Sequence, residues 1–494
     1  MKAYCFFSVH IELFDRVARE LRATGHATSV SGFAWGRHVL KTIDASDVPY
    51  QRAEIVSFTR DIVPRLAEGP VDYAFLERRE RELGISLRRA IAAERHLLEG
   101  RTYEQVLRLV QVGLEVIGDA LDRIQPDYIF TEDISCLMST LHWALARERD
   151  IPFWCVGSAR LTNRLSVYRS GFQNWERVLA RYAELETLTD AQAELARAFV
   201  AGFRDRPRRP TGMQTRSRVP VPSKGDVRQL VRATAAHLRD RRDPTAVSGA
   251  RAIGQRLTRW QRMARAKGGD IFEAPVEGER FVLFPIHFQP EASTLVQAPM
   301  YLNQLALIED IARSLPVGVR LYVKEHLSNR GRRPLSFYRD IKRVCGTRLL
   351  GPDEDTWALI QRAEAIAVIT GTMGWEGLLY DKPVVVFGDA FYAHLPGVYR
   401  ALDEPKDRWF ALFSRAMTEH EPDHEALHRY IVALHETSFP GFMKNPNTFP
   451  QVLAPENVSA IAAALRAVLD EEPPATPVRP HHVAETRGDS HPAA

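Results

Sequence analysis

Cysteine is scarce: only Cys5, Cys136, Cys155 and Cys345 occur in 494 residues, far apart and with no Cys-x-x-Cys pair. That spacing argues against a disulfide framework and a thiolate zinc site, and it fits a reducing cytosol. Long apolar runs are missing as well. No stretch of about 18 uninterrupted apolar residues occurs, so no helix is expected to span a bilayer. The apolar run after Met1-Lys2 is broken by Ser8, His10 and Glu12, which suits a first strand better than the apolar region of a secretory leader. Internal repeats are absent. A net excess of either charge is lacking too, the balance being +4 overall, except between Arg204 and Lys267, where 18 Lys or Arg stand against four Asp. That segment is the main charge asymmetry of the chain.

The rest has the composition of a globular protein, 45% hydrophobic and 26% charged, and its length exceeds what one core usually serves. Lys2–Phe7 reads as a strand followed by a helix with Leu13, Phe14, Val17 and Leu21 at helical spacing. From about Glu54 to Ile124 the pattern is helical, after which Asp127–Phe130 and Ile151–Val156 read as strands around a helix at Ser135–Arg147. After Gly278 strands and helices alternate: Phe281–Ile286, Val319–Lys324, Arg348–Leu350, Ala365–Ile369 and Pro383–Phe387 as strands, with helices at Tyr301–Leu315, Leu335–Cys345, Thr356–Arg362 and Trp375–Tyr380. Such alternation predicts a parallel sheet covered on both faces. The expected fold class is α/β, with two Rossmann-like domains facing a cleft. The expected units are an N-terminal domain with a helical insertion at 1–203, a basic linker with surface helices at 204–277, a second Rossmann-like domain at 278–470 and a disordered tail at 471–494. Within the basic segment, Ala250, Ile253, Leu257, Trp260 and Ala264 share one helical stripe, and Arg251, Arg256, Arg259, Arg262 and Arg265 lie off it.

Ligands of open parallel sheets bind beyond the carboxyl ends of the strands, and the polar residues of the second half fall there. Gln289 and Glu291 follow its first strand, Lys324 and His326 its second, and Thr370-Gly371-Thr372 its fourth. The small-residue turn from Thr370 to Glu376 brings backbone N–H groups and a helix N-terminus together, which suits a phosphate. Lys324 and His326 donate to phosphate or sugar oxygens; Gln289 and Glu291 are placed to read a sugar or base. Glu376 is placed to bind ribose hydroxyls, or to cap the helix it begins; Glu291 is equally placed to cap the helix that follows it. In the first half the strand ends offer His10, Glu132 and Asp133, of which Glu132 and Asp133 are preferred as base or nucleophile, with a helix N-cap as the plainer role for Asp133. Arg160 and Arg164 lie beyond the next strand, where they suit an anionic acceptor or a donor carboxylate. Asp353-Glu354-Asp355 has the Asp-x-Asp form of metal-dependent sugar transferases, yet it opens a helix, where acids are ordinary caps. No metal site is expected.

Phe284 to Thr294, Tyr301 to Leu305, Tyr322 to His326 and the block from Thr370 to Tyr392 resemble the capsule polysaccharide biosynthesis proteins, a family that includes Kdo transferases of bacterial surface glycans. The resemblance covers about residues 280 to 400. It implies a GT-B fold and a metal-independent glycosyltransferase that uses a CMP- or UDP-linked sugar as substrate, with no further cofactor. It also implies Glu376 at the ribose, Lys324 and His326 at phosphate, and a capsular polysaccharide or lipid-linked glycan as acceptor. His326-Leu327 stands where such proteins commonly carry His-Pro, and Thr370-Gly371 where they carry Ser-Ser, which leaves the base of the donor open. A sugar-nucleotide 2-epimerase and a non-catalytic glycan-binding or export protein are the competing readings. A cytoplasmic location is expected. For residues 225–267 the alternatives are solvated helices or peripheral contact with the anionic inner membrane, and no nucleic-acid module surrounds them.

Overall fold

A computed structural model describes residues 1–94, 97–98, 100–169, 175–208, 231, 234–235, 249–267 and 271–471. Most of the basic linker lies outside these residues, as does the expected disordered tail of 471–494 apart from Glu471, which ends a helix.

Two sheets organise the chain. The first has the order β13-β6-β5-β4-β1-β2-β3, from β1 (Lys2–Phe7), β2 (Ser29–Ala34), β3 (Tyr50–Ser57), β4 (Tyr128–Thr131), β5 (Phe153–Ser158), β6 (Arg164–Tyr168) and β13 (Phe439–Pro440). It is parallel from β3 to β5, and β6 and β13 are antiparallel to their neighbours. The second sheet, β12-β11-β10-β7-β8-β9, is parallel throughout. It is built from β7 (Phe281–Pro285), β8 (Arg320–Lys324), β9 (Thr347–Leu350), β10 (Ala365–Val368), β11 (Val384–Val386) and β12 (Val398–Arg400). Both run outward in two directions from their first strand, so strand order reverses between β1 and β4 and again between β7 and β10. That reversal is the doubly wound pattern, and the crevice it opens is where ligands of such folds sit. The central strands are buried on both faces, which is why Ala3–Phe7 and Phe281–Pro285 read as continuous apolar runs.

The first half holds three strands more than its sequence pattern indicates, β2, β3 and β6. β2 is diluted by Ser29, Ser31 and Gly32, and Gly32 is needed because a Cβ there would overlap the Cys5 carbonyl and the Phe7 ring. β3 is an edge strand with Gln51, Arg52 and Ala53 exposed, so the stretch from Glu54 reads as helical although Glu54–Ser57 completes the strand. The helical insertion follows, ending in α2 (Tyr103–Ile124); α1 is Ile11–Ala23.

The chain does not divide between the two cores at 203. Helices α3 (Glu176–Glu184) and α4 (Asp190–Asp205) precede the basic segment but bury Val178, Ala196 and Val200 with the second sheet and with α8 (His424–Glu436). Conversely β13 and α9 (Pro455–Glu471) return to the first sheet, where Val458, Ile461, Leu465 and Val468 pack with Leu13, Phe14 and Val17 of α1. Each such side chain contributes about 1.5–3 kcal/mol when fully buried, so the apolar stripe of α9 decides where the C-terminus goes. The second unit therefore ends near Glu436 rather than at 470. Arg164 secures the return: its guanidinium donates to the Ser438 hydroxyl at 2.6 Å and to the carbonyls of His435 at 2.7 Å and Ser438 at 2.5 Å.

Candidate functional site

The loops after β7, β8 and β10 meet the loops after β4 and β5 around a cleft of about 540 Å³. Asp133 and Arg160 line it from the first unit, and Glu291, His326, Thr370, Gly371 and Thr372 from the second. A neighbouring cavity of about 420 Å³ is lined by Lys324, His326, Pro352, Thr356, Trp357 and Met373. The indole N–H of Trp357 is buried there without an acceptor among the described residues. His326 and Met373 border both spaces.

Helix α7 (Thr372–Leu379) starts at Thr372, three residues before the sequence pattern indicates, because the small residues of its first turn carry no apolar signal. The N–H groups of Thr372 and Met373 are thereby first-turn groups with no intrahelical acceptor, at a terminus whose cap residue is Gly371 and whose dipole favours an anion. The same start puts Glu376 beyond the capping positions. Glu376 is buried, and it faces not the cavity of Lys324 and His326 but a third one of about 280 Å³, lined also by Arg160, Arg206, Arg208, Phe199 and Trp375.

Several residues expected to touch a ligand are instead engaged in building the loops. Thr370 donates its N–H to His287 Nε2 at 3.3 Å and its hydroxyl to the Ser293 carbonyl at 2.9 Å. Gly371 and Gly374 are small because side chains approach them: a Cβ at 371 would lie 3.0 Å from His287 Nε2, and one at 374 would overlap the Tyr392 hydroxyl. Tyr392 in turn donates to the Gly371 carbonyl at 2.5 Å. Gln289 donates to the Leu302 carbonyl at 2.9 Å and is not among the residues lining these cavities. Glu291 occupies the N-cap position of a short helix, but its carboxylate accepts from the Ser293 hydroxyl at 2.9 Å rather than from the backbone.

Lys324 is buried and donates to the Pro352 carbonyl at 3.3 Å. His326 is oriented by the Ser328 N–H, which donates to its Nδ1 at 3.1 Å, so the proton of the neutral ring sits on Nε2. Beneath it, burial raises the carboxyl of Glu325, which accepts from the His326 N–H at 2.6 Å and from the Asn329 amide at 2.9 Å. His287, one of the polar residues that follow the first strand of the second half, is the internal pillar of the site. Its Nδ1 lies 3.2 Å from the Pro285 carbonyl, so the hydrogen is on Nδ1 and the lone pair on Nε2 faces the Thr370 N–H. Burial, with His326 and Arg333 nearby, holds its pKa down at about 4.

In the first unit the rival candidates are partners. Glu132 accepts from the Ser8 hydroxyl at 3.0 Å, and its other carboxylate oxygen lies against Nδ1 of His10. Asp133 is no helix cap, since the next helix begins at Leu137 with Cys136 as its cap; its carboxylate accepts the Ile134 N–H at 2.8 Å and the Tyr168 hydroxyl, and lines the main cleft. Arg160, at φ 62°, lies over the Phe391 ring at 5.8 Å. Burial pulls its guanidinium below the ordinary value, against the opposing fields of Tyr168, Asp133, Glu291 and Tyr392. Arg160 thus joins the two halves of the cleft, while Arg164 is occupied by the C-terminal crossing. Asp355 caps α6 (Thr356–Arg362) by accepting from the N–H groups of Trp357 and Ala358 at 3.0 and 3.2 Å, and Asp353 pairs with Arg330. Among the described residues no group of three or more His, Cys, Asp or Glu is placed to hold a metal ion.

No curated protein matches the chain. Among solved structures, the beta Kdo 2,7 transferase of Thermosulfurimonas dismutans KpsC is 12% identical with a TM-score of 0.38, over 72% of this chain and 89% of that one. Its beta Kdo 2,4 transferase is 14% identical with a TM-score of 0.37, over 68% and 86%. The UDP-GlcNAc 2-epimerase of Neisseria meningitidis is 12% identical with a TM-score of 0.22, over 95% and 99%. At such scores these likenesses do not separate transferase from epimerase. The sequence match is more specific: residues 281–436, which hold the whole second sheet and the loops of its crevice, match the family described as capsule polysaccharide biosynthesis protein.

Proposed function

We propose that the protein is a glycosyltransferase that moves a sugar from a nucleotide-sugar donor to a capsular or other surface-polysaccharide acceptor. The observation that carries the reading is the facing of two strand-order reversals across one cleft, with Asp133 on one wall and His326 and the N-terminus of α7 on the other. The donor nucleotide is assigned to the cavity of Lys324, Pro352, Thr356 and Trp357. Its phosphate then meets the N–H groups of Thr372 and Met373, with Lys324 and His326 alongside, and the sugar extends into the main cleft. As the glycosidic bond breaks, negative charge builds on the leaving phosphate, and a cation, an imidazole N–H and a helix N-terminus stabilise it there more than in the ground state. These groups give the leaving phosphate its stabilisation without a metal ion, and the nearest Asp-x-Asp acids already serve as a helix cap and an ion pair.

Asp133 is the residue assigned to the acceptor hydroxyl or the anomeric carbon, as general base or as nucleophile. Glu132 is assigned a positioning role through His10. Arg160 is placed for a carboxylate on the transferred or accepting sugar, which suits an acidic donor such as a CMP-linked Kdo.

A thermal-shift screen with CMP, CMP-Kdo, UDP and UDP-sugars tests the reading, since a ligand that binds only the folded chain raises its melting temperature with occupancy. A saturable shift confined to one nucleotide series supports it and names the base. No shift with any of them overturns it.

A further inference from the structure

Helix α5 (Gly249–Lys267) packs on the second unit with the side opposite to the one its sequence suggests. Its apolar stripe is not the buried face. Arg259 donates to the Arg330 carbonyl at 2.8 Å, Arg262 to the Arg332 carbonyl at 2.5 Å, and Met263 is buried. Gly331, at φ +68°, has no side chain because the Arg259 backbone and Met263 lie against it. Two arginines thus fasten the helix to the loop that carries Ser328 and Arg332 into the main cleft. The stripe left over points away from the protein: Ile253 is 44% exposed, Leu257 57% and Trp260 63%.

We infer that α5 is an interfacial membrane anchor, with Ile253, Leu257 and Trp260 inserted among the lipids and Arg251, Arg256 and Arg265 against anionic headgroups. Several observations single out a lipid surface. The three apolar residues follow one another at helical spacings of four and three, so they share one side of α5 rather than being scattered singly over the surface. Arg251, Arg256 and Arg265 are exposed on the same helix, and α5 contains no Asp or Glu. A symmetric pairing with a second copy would bring arginines against arginines, and a double-stranded nucleic acid, whose bases are stacked inside, offers little apolar surface to cover aliphatic Ile253 and Leu257. Tryptophan at the edge of an apolar stripe with arginines around it is the composition of helices that lie in the plane of a bilayer surface. Because α5 is fastened to the 330–332 loop, the anchor holds the mouth of the cleft beside the membrane, where a lipid-linked glycan would present its growing end. The anchoring itself stands independently of the nucleotide reading.

Flotation of the full chain with vesicles tests this, using phosphatidylglycerol mixed with phosphatidylcholine against phosphatidylcholine alone. The wild-type chain should float with the anionic vesicles, at least about tenfold more than with the neutral ones, and less as salt is raised. Leu257→Glu combined with Trp260→Glu should lower flotation about tenfold or more with no change in melting temperature, since both side chains are exposed. Arg251→Glu with Arg256→Glu and Arg265→Glu should remove the preference for anionic vesicles and leave α5 docked through Arg259 and Arg262. Wild-type chain that stays below the anionic vesicles overturns the inference, as does a Leu257/Trp260 variant that floats like wild type. So does a dimer in solution that this variant splits, which would make the stripe a self-association face, or a Trp260 already shielded from aqueous quenchers in vesicle-free chain, which would assign the stripe to residues 209–248. Any nucleotide-induced thermal shift should be the same in these variants as in wild type, so loss of anchoring and loss of nucleotide binding are separately visible.

Discussion

The Thr370 N–H donates to Nε2 of His287 at 3.3 Å, so the first amide of the turn proposed to hold a phosphate is spent on a buried imidazole. The turn is shaped from beneath by side chains before any ligand arrives. The amides of Thr372 and Met373, two and three residues later, have no intrahelical acceptor and open the helix.

This arrangement makes Gly374 a packing glycine. Gly374→Ala should cost about 1–3 kcal/mol of stability, because the new methyl must displace the Tyr392 ring, which packs in the core and holds the Gly371 carbonyl. Denaturant unfolding measures it. An unchanged midpoint would mean that Tyr392 is not fixed against α7.

His287 also couples stability to pH. Its folded pKa of about 4 lies below the ordinary 6.5, so between those values the unfolded chain binds the extra proton, and stability falls as pH drops through that window. Below about pH 4 the loss levels off. His142, buried with its pKa also held near 4, acts in the same direction. A shift of this size corresponds to at most about 3 kcal/mol. The melting temperature of His287→Gln should therefore fall less steeply than wild type from pH 6.5 to 4, and parallel curves would count against a buried neutral His287.

Arg164 offers a check on the C-terminal crossing. Arg164→Ala removes the donors to His435 and Ser438 and should destabilise the chain by about 1.5–3 kcal/mol without changing nucleotide affinity. Proteolysis should then begin near the β13 segment. Unaltered stability would show that the α9 contacts alone hold the return.

The architecture was legible where the physics is local. Strands buried on both faces, such as β7 and β10, announce themselves as apolar runs, and the polar residues following them mark the crevice. What escaped depends on contacts distant in sequence. β3 is half polar because it is an edge. The outward stripe of α5 resembles any buried stripe until Arg259 and Arg262 are seen reaching backbone carbonyls of the 330–332 loop. The return of α9 to the first sheet is set by Leu13, Phe14 and Val17, more than four hundred residues earlier. At the site, Asp133, His326, Thr370, Gly371 and Thr372 line the main cleft and Lys324 the cavity beside it; Thr370 and Gly371 are in addition tied into the loops by His287 and Tyr392, and Gln289 only braces Leu302. His287 was within reach of the sequence reading, since it directly follows a buried strand end beside the phosphate turn; its single tautomer was not.

Asp133→Asn tests the assignment of chemistry apart from binding. It should lower transfer about 10²–10⁴-fold while leaving nucleotide affinity within about twofold, since Asp133 lies across the cleft from the nucleotide cavity. Glu132→Gln, acting through His10, should cost less and shift the pH profile of transfer. Equal activity in Asp133→Asn and wild type would remove Asp133 from the reaction.

A calorimetric titration of CMP and UDP, with chelator present, into wild type, Lys324→Met, His326→Ala and Gln289→Ala tests the proposed donor site most directly. Saturable binding of one nucleotide is expected, weakened about tenfold or more by the first two substitutions and unaffected by the third, whose amide only braces Leu302. Binding that is absent in wild type, or equal in all four proteins, would contradict the proposed site.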